Sequence, residues 1–424
     1  MVTITEPDVP VAVRRRAWGV VTMLLLFMLV NFMDKAVLGL AGESITAELG
    51  LTSTEFGAVG SAFYLLFSLS GIVVGGLTTR FDSTWILVAM MACWCLSQLP
   101  LLIPAAGFGT LVATRVVLGA AEGPAHAVAN HAAFTWFPDR MRNLPASVLT
   151  LGSGMGVALG APVLIFIITN CGWRWAFGFT ALAGLAWLPF WLRRGGEGPY
   201  GARSETASAE RRAPYRRLLC NGTVLGGVAA SFAVYWTLAL ALTWFPQYLQ
   251  KVRGYSLAQV GPLSIIWNVA GFVVIVVVGV LTQRLLARGV STRIARGVVG
   301  GVAVLVAGAA MTALPRVGDP ATHLVLLTVA ASFGYVVFPL ATAVAAEIAP
   351  VAQRGAVLGT VTAVATMAGV LAPVVTGALV QGAADPAEGY GTALTVAGLL
   401  MLGGGALAAL AVRPELDKER LASR

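Results

Sequence analysis

Twelve apolar stretches of about twenty residues or more follow one another along this 424-residue chain and leave little room for any other kind of fold. They lie near 17–41, 55–78, 84–104, 108–131, 143–169 and 173–192, then near 220–248, 258–283, 296–314, 321–347, 355–381 and 389–412. A helix needs about 20 apolar residues to cross the hydrocarbon of a bilayer, and a spanning segment must satisfy its own backbone hydrogen bonds. The chain therefore reads as an all-α integral membrane protein with twelve transmembrane helices. Charge agrees, since only 11% of residues are charged and 58% are hydrophobic, where a soluble domain carries about a quarter of its residues as charge. That balance excludes soluble enzymes, nucleic-acid binders and disordered regulators, and makes the lipid bilayer the expected surrounding.

Between the two sets of six lies Arg193 to Arg217, rich in Gly, Arg, Ser and Glu, which reads as a solvated linker. The expected organisation is an N-terminal six-helix bundle over 1–192, a linker over 193–217 and a C-terminal six-helix bundle over 218–424. An even number of spans puts both termini on one side. Alternate loops sort the Lys and Arg residues sharply, with 22 on the side of the termini and linker and four on the other, while Lys35 and Arg115 fall inside spans. Those four are Arg174, Lys251, Arg253 and Arg316. By the positive-inside rule the termini are expected in the cytoplasm and the chain in the plasma membrane. The formal net charge of +9 is then an orientation signal and not a preference for nucleic acid. Arg14-Arg15-Arg16 before Ala17 resembles the opening of a signal peptide. The apolar run continues through Leu40 without a small-residue cleavage site, however, so the segment reads as a retained span. Cys93, Cys95, Cys171 and Cys220 show neither a paired framework nor metal-type spacing, and inert thiols are expected.

An internal repeat supports two related halves. Gly75-Gly76-Leu77-Thr78-Thr79-Arg80 after the second span is echoed by Gly279-Val280-Leu281-Thr282-Gln283-Arg284 after the eighth. Gly160-Ala161-Pro162 in the fifth span is echoed by Leu371-Ala372-Pro373 in the eleventh. Both offsets are close to half the chain length.

Four ionisable residues fall within spans: Asp34 and Lys35 in the first, Arg115 and Glu122 in the fourth. A central Asp, Lys or Arg costs at least about 2.5 kcal/mol in hydrocarbon, so these groups are expected to face a polar cavity and pair. Arg115 and Glu122 lie two turns apart, roughly 10.5 Å along one helix face. Asp34 and Arg115 sit at similar depth, about 10 Å from the outer ends of their spans, which makes them a natural pair. Glu122 lies deeper, where burial and adjacent cations act oppositely on its proton. The competing reading is a static ion-pair cluster that only ties the two helices together.

His126 follows Glu122 by one turn on the same face, placed to relay a proton, donate to an anion or bond within the bundle. His131 lies near the cytoplasmic end and reads as interfacial. Asn31, Asn130 and, from the other half, Asn268 are candidate polar partners, and Tyr64, Phe67, Tyr235, Trp236 and Tyr335 are candidate cavity walls. Gly152, Gly154, Gly156 and Gly160 let the fifth span approach or slide past a neighbour. No phosphate-binding loop, metal-ligand cluster or hydrolase nucleophile stands in a fitting context, so no cofactor, metal or enzymatic reaction is expected.

Several segments together resemble one family. Asn31-Phe32-Met33-Asp34-Lys35 resembles the Asn-Tyr-X-Asp-Arg signature in the first helix of the anion:cation symporter family, a branch of the major facilitator superfamily. Arg115 to Pro124, and Trp136-Phe137-Pro138 with Arg140 and Arg142, resemble its fourth helix and the loop after it. Gly172-Trp173-Arg174-Trp175-Ala176-Phe177 resembles its entry to helix six, and Trp244-Phe245-Pro246-Gln247-Tyr248-Leu249 its Trp-Leu-Pro-X-Tyr-Leu after helix seven. The resemblance implies the major facilitator fold, two pseudo-symmetric six-helix bundles with a substrate site between them near the midplane. It also implies uptake of organic anions with protons, Asp34 and Glu122 as proton-coupling carboxylates, Arg115 as their switching partner and Lys35 as the contact for the substrate carboxylate.

Three departures from that pattern stand out. Lys35 replaces the usual Arg, keeping the charge but losing two-pronged recognition of a carboxylate. Phe32 and Phe67 stand where Tyr is expected, which points to a less hydroxylated aromatic or aliphatic carboxylate. Thr79 and Asp82 replace Asp and Gly of the usual cytoplasmic gating latch. The expected function is proton-coupled symport of a small organic anion by a monomer using alternating access. Proton antiport exporting a drug-like or secondary-metabolite compound, and a non-transporting membrane sensor, are the alternatives.

Overall fold

The computed structural model describes residues 11–77, 81–138, 141–200 and 213–422. Thr78, Thr79, Arg80, Arg140, Arg424 and the linker stretch 201–212 lie outside the described residues. Ten helices among those described are long and apolar enough to cross a membrane. The two remaining crossings, the second and fourth, are each built from two shorter helices end to end: Ser53–Leu65 with Phe67–Leu77, and Phe108–Glu122 with Ala125–Phe134. The second of these breaks has a local cause, because Pro124 lacks an N–H and disfavours helix at the residue before it. The twelve expected spans are thus present with their ends shifted by a few residues.

Polar residues at the turns set where helices begin. Thr52 and Glu55 form a reciprocal capping box ahead of Ser53–Leu65. Asn221 accepts from the Val224 N–H at 2.9 Å ahead of Gly222–Thr243. Asp319 accepts from the Thr322 hydroxyl and N–H, and these donors hold its carboxyl below the usual range, so the cap persists until the pH falls below that range. Asp82, one of the altered latch residues, accepts from the Thr84 N–H at 2.6 Å and caps Ser83–Gln98. Its place in the sequence is therefore explained by helix capping.

In the first half, the first span, Val11–Leu40, packs against the fifth, Asn143–Cys171, and the sixth, Trp173–Arg194. Gly152, Gly156 and Gly160 face Leu25, Leu29 and Met33 of the first span, whereas Gly154 faces open space. In the second half, Gly222–Thr243 and Val299–Ala313 both pack on the twelfth span, Pro386–Ala411. Across the halves the second span meets the eleventh and the fifth meets the eighth, Leu257–Ala287. The repeats relate the second span to the eighth and the fifth to the eleventh, so these two contacts are one contact made twice around a pseudo-two-fold axis.

Cross-half contacts among the described residues cluster toward the end of the bundle away from the termini, or at mid-depth. The Thr54 N–H donates to Gln381 Oε1 at 3.1 Å, and the Val374 N–H donates to Ser61 Oγ at 3.1 Å. Phe56 meets Trp244 edge-on at 5.1 Å. A side chain at Gly39, Gly57 or Gly377 would collide with the Leu242, Pro373 or Ser53 carbonyl across the seam. The deepest of the cross-half hydrogen bonds joins the hydroxyls of Ser68 and Thr366.

Within the first half, Gly119 and Gly123 let the fourth span lie directly on the Phe63 and Phe67 carbonyls of the second. Replacing Gly119→Ala is expected to destabilise the protein by about 1–3 kcal/mol through overpacking. Gly154→Ala, which meets nothing within 4 Å, is expected to be neutral or slightly stabilising. Thermal unfolding of the two purified variants in detergent checks this, and equal midpoints would contradict it.

Candidate functional site

The helix interruptions place chemistry at mid-depth. Glu122 is the last residue of Phe108–Glu122, just before Gly123-Pro124, and Tyr64 and Phe67 flank the break at Leu66. In the second half Tyr335 lies in the tight turn Phe333–Val336 that interrupts the tenth span. The first span brings Asn31, Phe32, Asp34 and Lys35 to the same level.

Lys35 is the hub. Its Nζ lies 3.2 Å from Glu122 Oε2 and donates to Asn31 Oδ1 at 2.5 Å. It also sits over the Phe32 ring at 4.3 Å and the Phe67 ring at 5.5 Å. Glu122 is 1% exposed, and its Oε1 has no hydrogen-bond partner among the described residues. Among the described residues Lys35 is therefore the single close counter-charge of this buried carboxylate.

Asp34 belongs to a separate network. Gln98 Nε2 donates to Asp34 Oδ2 at 3.2 Å, and Thr180 Oγ1 donates to Gln98 Oε1 at 3.0 Å. The expected Asp34–Arg115 ion pair does not close; the guanidinium instead lies over the Phe177 ring at 4.8 Å, with Nη2 unpartnered among the described residues. Both residues are buried, so Asp34 and Arg115 act on each other only through their fields. The physical reason is shape: Phe177 offers the planar guanidinium an aromatic face, and Gln98 reaches the carboxylate from the third span.

The other expected residues divide into two groups. His126 is exposed within the bundle, has Lys35 as its charged neighbour and makes no side-chain hydrogen bond among the described residues. Asn130 and Asn268 turn their amide N–H groups onto their own helices, to the His126 and Ser264 carbonyls at 2.9 and 2.8 Å. Asn31 is fully buried and is the only one of the three amides that touches Lys35. Tyr64 lies within electrostatic range of Tyr235 and of Tyr335. Tyr235 meets Phe338 at 4.7 Å and Tyr335 stacks on it at 6.1 Å. Trp236 is buried with its Nε1 unpartnered among the described residues.

The charge-based reading missed Gln98, Thr180, Phe177 and Phe338. Gln98 had a signal: a buried amide costs free energy unless bonded, so a lone Gln in an apolar span deserves the same question as a charge.

Against this geometry, the family model for the Major Facilitator Superfamily matches residues 24–318. The chain belongs to the Major Facilitator Superfamily. Within the superfamily it is similar to the D-galactonate transporter of Escherichia coli O6:H1, 27% identical over 93% of this chain and 97% of that one. It is also similar to a probable sulfoacetate transporter of Cupriavidus necator, 28% identical over 92% of each. The hexuronate transporter of Bacillus subtilis is 28% identical over 60% of this chain and 61% of its own length. Among solved structures, a D-xylose-proton symporter superposes with a TM-score of 0.77 at 17% identity, over 94% of this chain and 99% of that one. A bacterial homologue of the lysosomal transporter Spinster, captured inward-facing, gives 0.76 at 17% identity over 95% and 98%. The superfamily fold, the membrane-spanning architecture and the resemblance to the anion:cation symporters, whose sugar-acid transporters are among these relatives, are thus established.

The Gln98–Asp34 bond has a thermodynamic consequence. A double-mutant cycle of Gln98→Leu and Asp34→Asn, read by unfolding in detergent, is expected to give a coupling of about 0.5–3 kcal/mol. A coupling of zero would show that Gln98 does not hold Asp34.

Proposed function

We propose that this protein is a secondary active transporter that takes up a small organic anion together with protons by alternating access. The observation that carries the reading is the Lys35–Glu122 pair, 3.2 Å apart, with Glu122 sealed from water and lacking a second partner among the described residues. A substrate carboxylate that engages Lys35 competes directly with Glu122. Once displaced, Glu122 becomes an unpaired charge in a low-dielectric interior, which costs far more than accepting a proton. Anion binding and proton binding are thereby linked without any further device. Asp34, held by Gln98, is the second proton-coupling carboxylate, and Arg115, unattached to either carboxylate, is the switching cation between them. His126 lies beside the pair as a route for the proton or a donor to the anion.

The names of the relatives, transporters of galactonate, hexuronate and sulfoacetate, support an anionic substrate. The bundle's seam, packed at the end away from the termini, supports an arrangement open toward the termini. With bundles over 1–192 and 218–424 rocking about the 193–217 linker, and the termini in the cytoplasm of a plasma-membrane protein, that arrangement is the inward-facing state of a monomer.

The test is transport in proteoliposomes under an inward pH gradient, with D-galactonate, sulfoacetate and mandelate as probes and protein-free vesicles subtracted. At least one probe is expected to accumulate and to be released by a protonophore. Glu122→Gln is expected to abolish gradient-driven accumulation while keeping exchange of internal for external anion. Unchanged accumulation in Glu122→Gln would overturn the coupling, and efflux against an inward proton flow would replace uptake by export.

A further inference from the structure

We infer that Asn31 is a positioning residue that holds the Lys35 ammonium at the site while leaving its charge uncancelled, an inference that rests on the proposed transport of an organic anion. Asn31 and Lys35 lie one turn apart on the first span, and Lys35 Nζ donates to Asn31 Oδ1 at 2.5 Å. An ammonium offers donors only, so the carboxamide must turn its oxygen toward it. Asn31 is fully buried, and its Nδ2 has no partner among the described residues. A buried amide is costly unless bonded, and Lys35 is the one group that the Asn31 side chain bonds among the described residues.

The other neighbours of the ammonium do not supply this hold. Glu122 is the group that the anion displaces. Asp34 and His126 lie within electrostatic range of Lys35 but make no hydrogen bond or ion pair to it among the described residues. The Phe32 and Phe67 rings attract the cation without fixing an N–H direction. A lysine carries its charge on a flexible four-carbon stem, free to swing once Glu122 lets go. Because Asn31 and Lys35 share one helix, their bond outlasts both the departure of Glu122 and the rocking of the bundles. Charge explains why the acceptor is an amide. The formal charges of Asp34 and Arg115 cancel, as do those of Lys35 and Glu122. Once Glu122 takes a proton, the site carries one positive charge, which a carboxylate of the anion balances. A carboxylate in place of the amide would hold Lys35 equally well but cancel that charge, and anion and proton would no longer bind together.

Two measurements on the full-length protein test this. In detergent, with no anion added, brief treatment with acetic anhydride followed by mass spectrometry compares Lys35 with Lys251 and Lys418, the other lysines of the chain, both exposed. Asn31→Leu is expected to raise the modification rate of Lys35 relative to these two by about tenfold, the loss of one hydrogen bond to a charged group. Asn31→Asp is expected to leave that rate near the native one. In proteoliposomes, exchange of internal for external anion is followed with D-galactonate, sulfoacetate and mandelate. For each probe that the native protein exchanges, Asn31→Leu is expected to raise KM about tenfold with a smaller change in kcat. Asn31→Asp is expected to raise KM at least as much and to abolish accumulation under an inward pH gradient, whereas a purely structural role for Asn31 predicts near-native exchange in this variant, which keeps the shape and the acceptor. Asn31→Asp also carries the test should Asn31→Leu fail to fold. Unchanged Lys35 modification in Asn31→Leu, or native KM and accumulation in Asn31→Asp, would overturn the inference and leave anion transport standing. Failure of the native protein to move any of the three probes would overturn the transport reading, and the modification rates would still decide whether Asn31 holds Lys35.

Discussion

A lysine ammonium and a glutamate carboxylate held 3.2 Å apart inside a helical membrane bundle impose conditions on everything around them. Breaking such a buried pair by removing one partner costs about 3–5 kcal/mol, because a charge is left without compensation. The surroundings make that penalty steep: Glu122 is sealed from water, and Lys35 is bordered by two phenylalanine rings that cannot accept a strong hydrogen bond. Only another anion on Lys35, accompanied by a proton on Glu122, replaces the pair at modest cost. Coupling in this account follows from desolvation and needs no relay that distinguishes substrate from proton.

The interruptions of the helices serve the same pair. An uninterrupted fourth span would continue past Glu122; the Gly123-Pro124 break ends the helix there, and Gly119 and Gly123 bring it onto the backbone of the second span. That close approach is what sets Glu122, on the fourth span, beside Phe67 and Lys35. In the second half the tight turn at Phe333–Val336 presents Tyr335 at the corresponding depth. Between them the halves meet through small residues and backbone carbonyls, Gly57 on Pro373 and Gly377 on Ser53, and among the described residues no salt bridge crosses that seam.

Much of this was legible in the chain itself. Runs of apolar residues marked all twelve crossings, because hydrocarbon thickness sets a length that composition cannot disguise. The cost of intramembrane charge pointed to Asp34, Lys35, Arg115 and Glu122, and the structure buries Asp34, Arg115 and Glu122 and sets Lys35 beside Glu122. Partner choice was not legible. Depth alone matched Asp34 to Arg115, yet lateral position decides which groups touch, and that depends on how the first, third, fourth and sixth spans pack. Gln98 takes Asp34, Phe177 takes Arg115, and Lys35 turns to Glu122. Asp82, a departure from the usual gating latch, also caps the helix that follows, a role its place in the sequence did not announce.

The central claim is that an anion displaces Glu122 from Lys35 and that Glu122 then takes a proton. Calorimetric titration of the purified protein with mandelate near pH 8, in two buffers of different ionisation enthalpy, measures protons exchanged on binding. The account predicts uptake of about one proton per anion bound by the native protein, and none attributable to this site in Glu122→Gln. Binding without proton uptake, or uptake undiminished in Glu122→Gln, would contradict it.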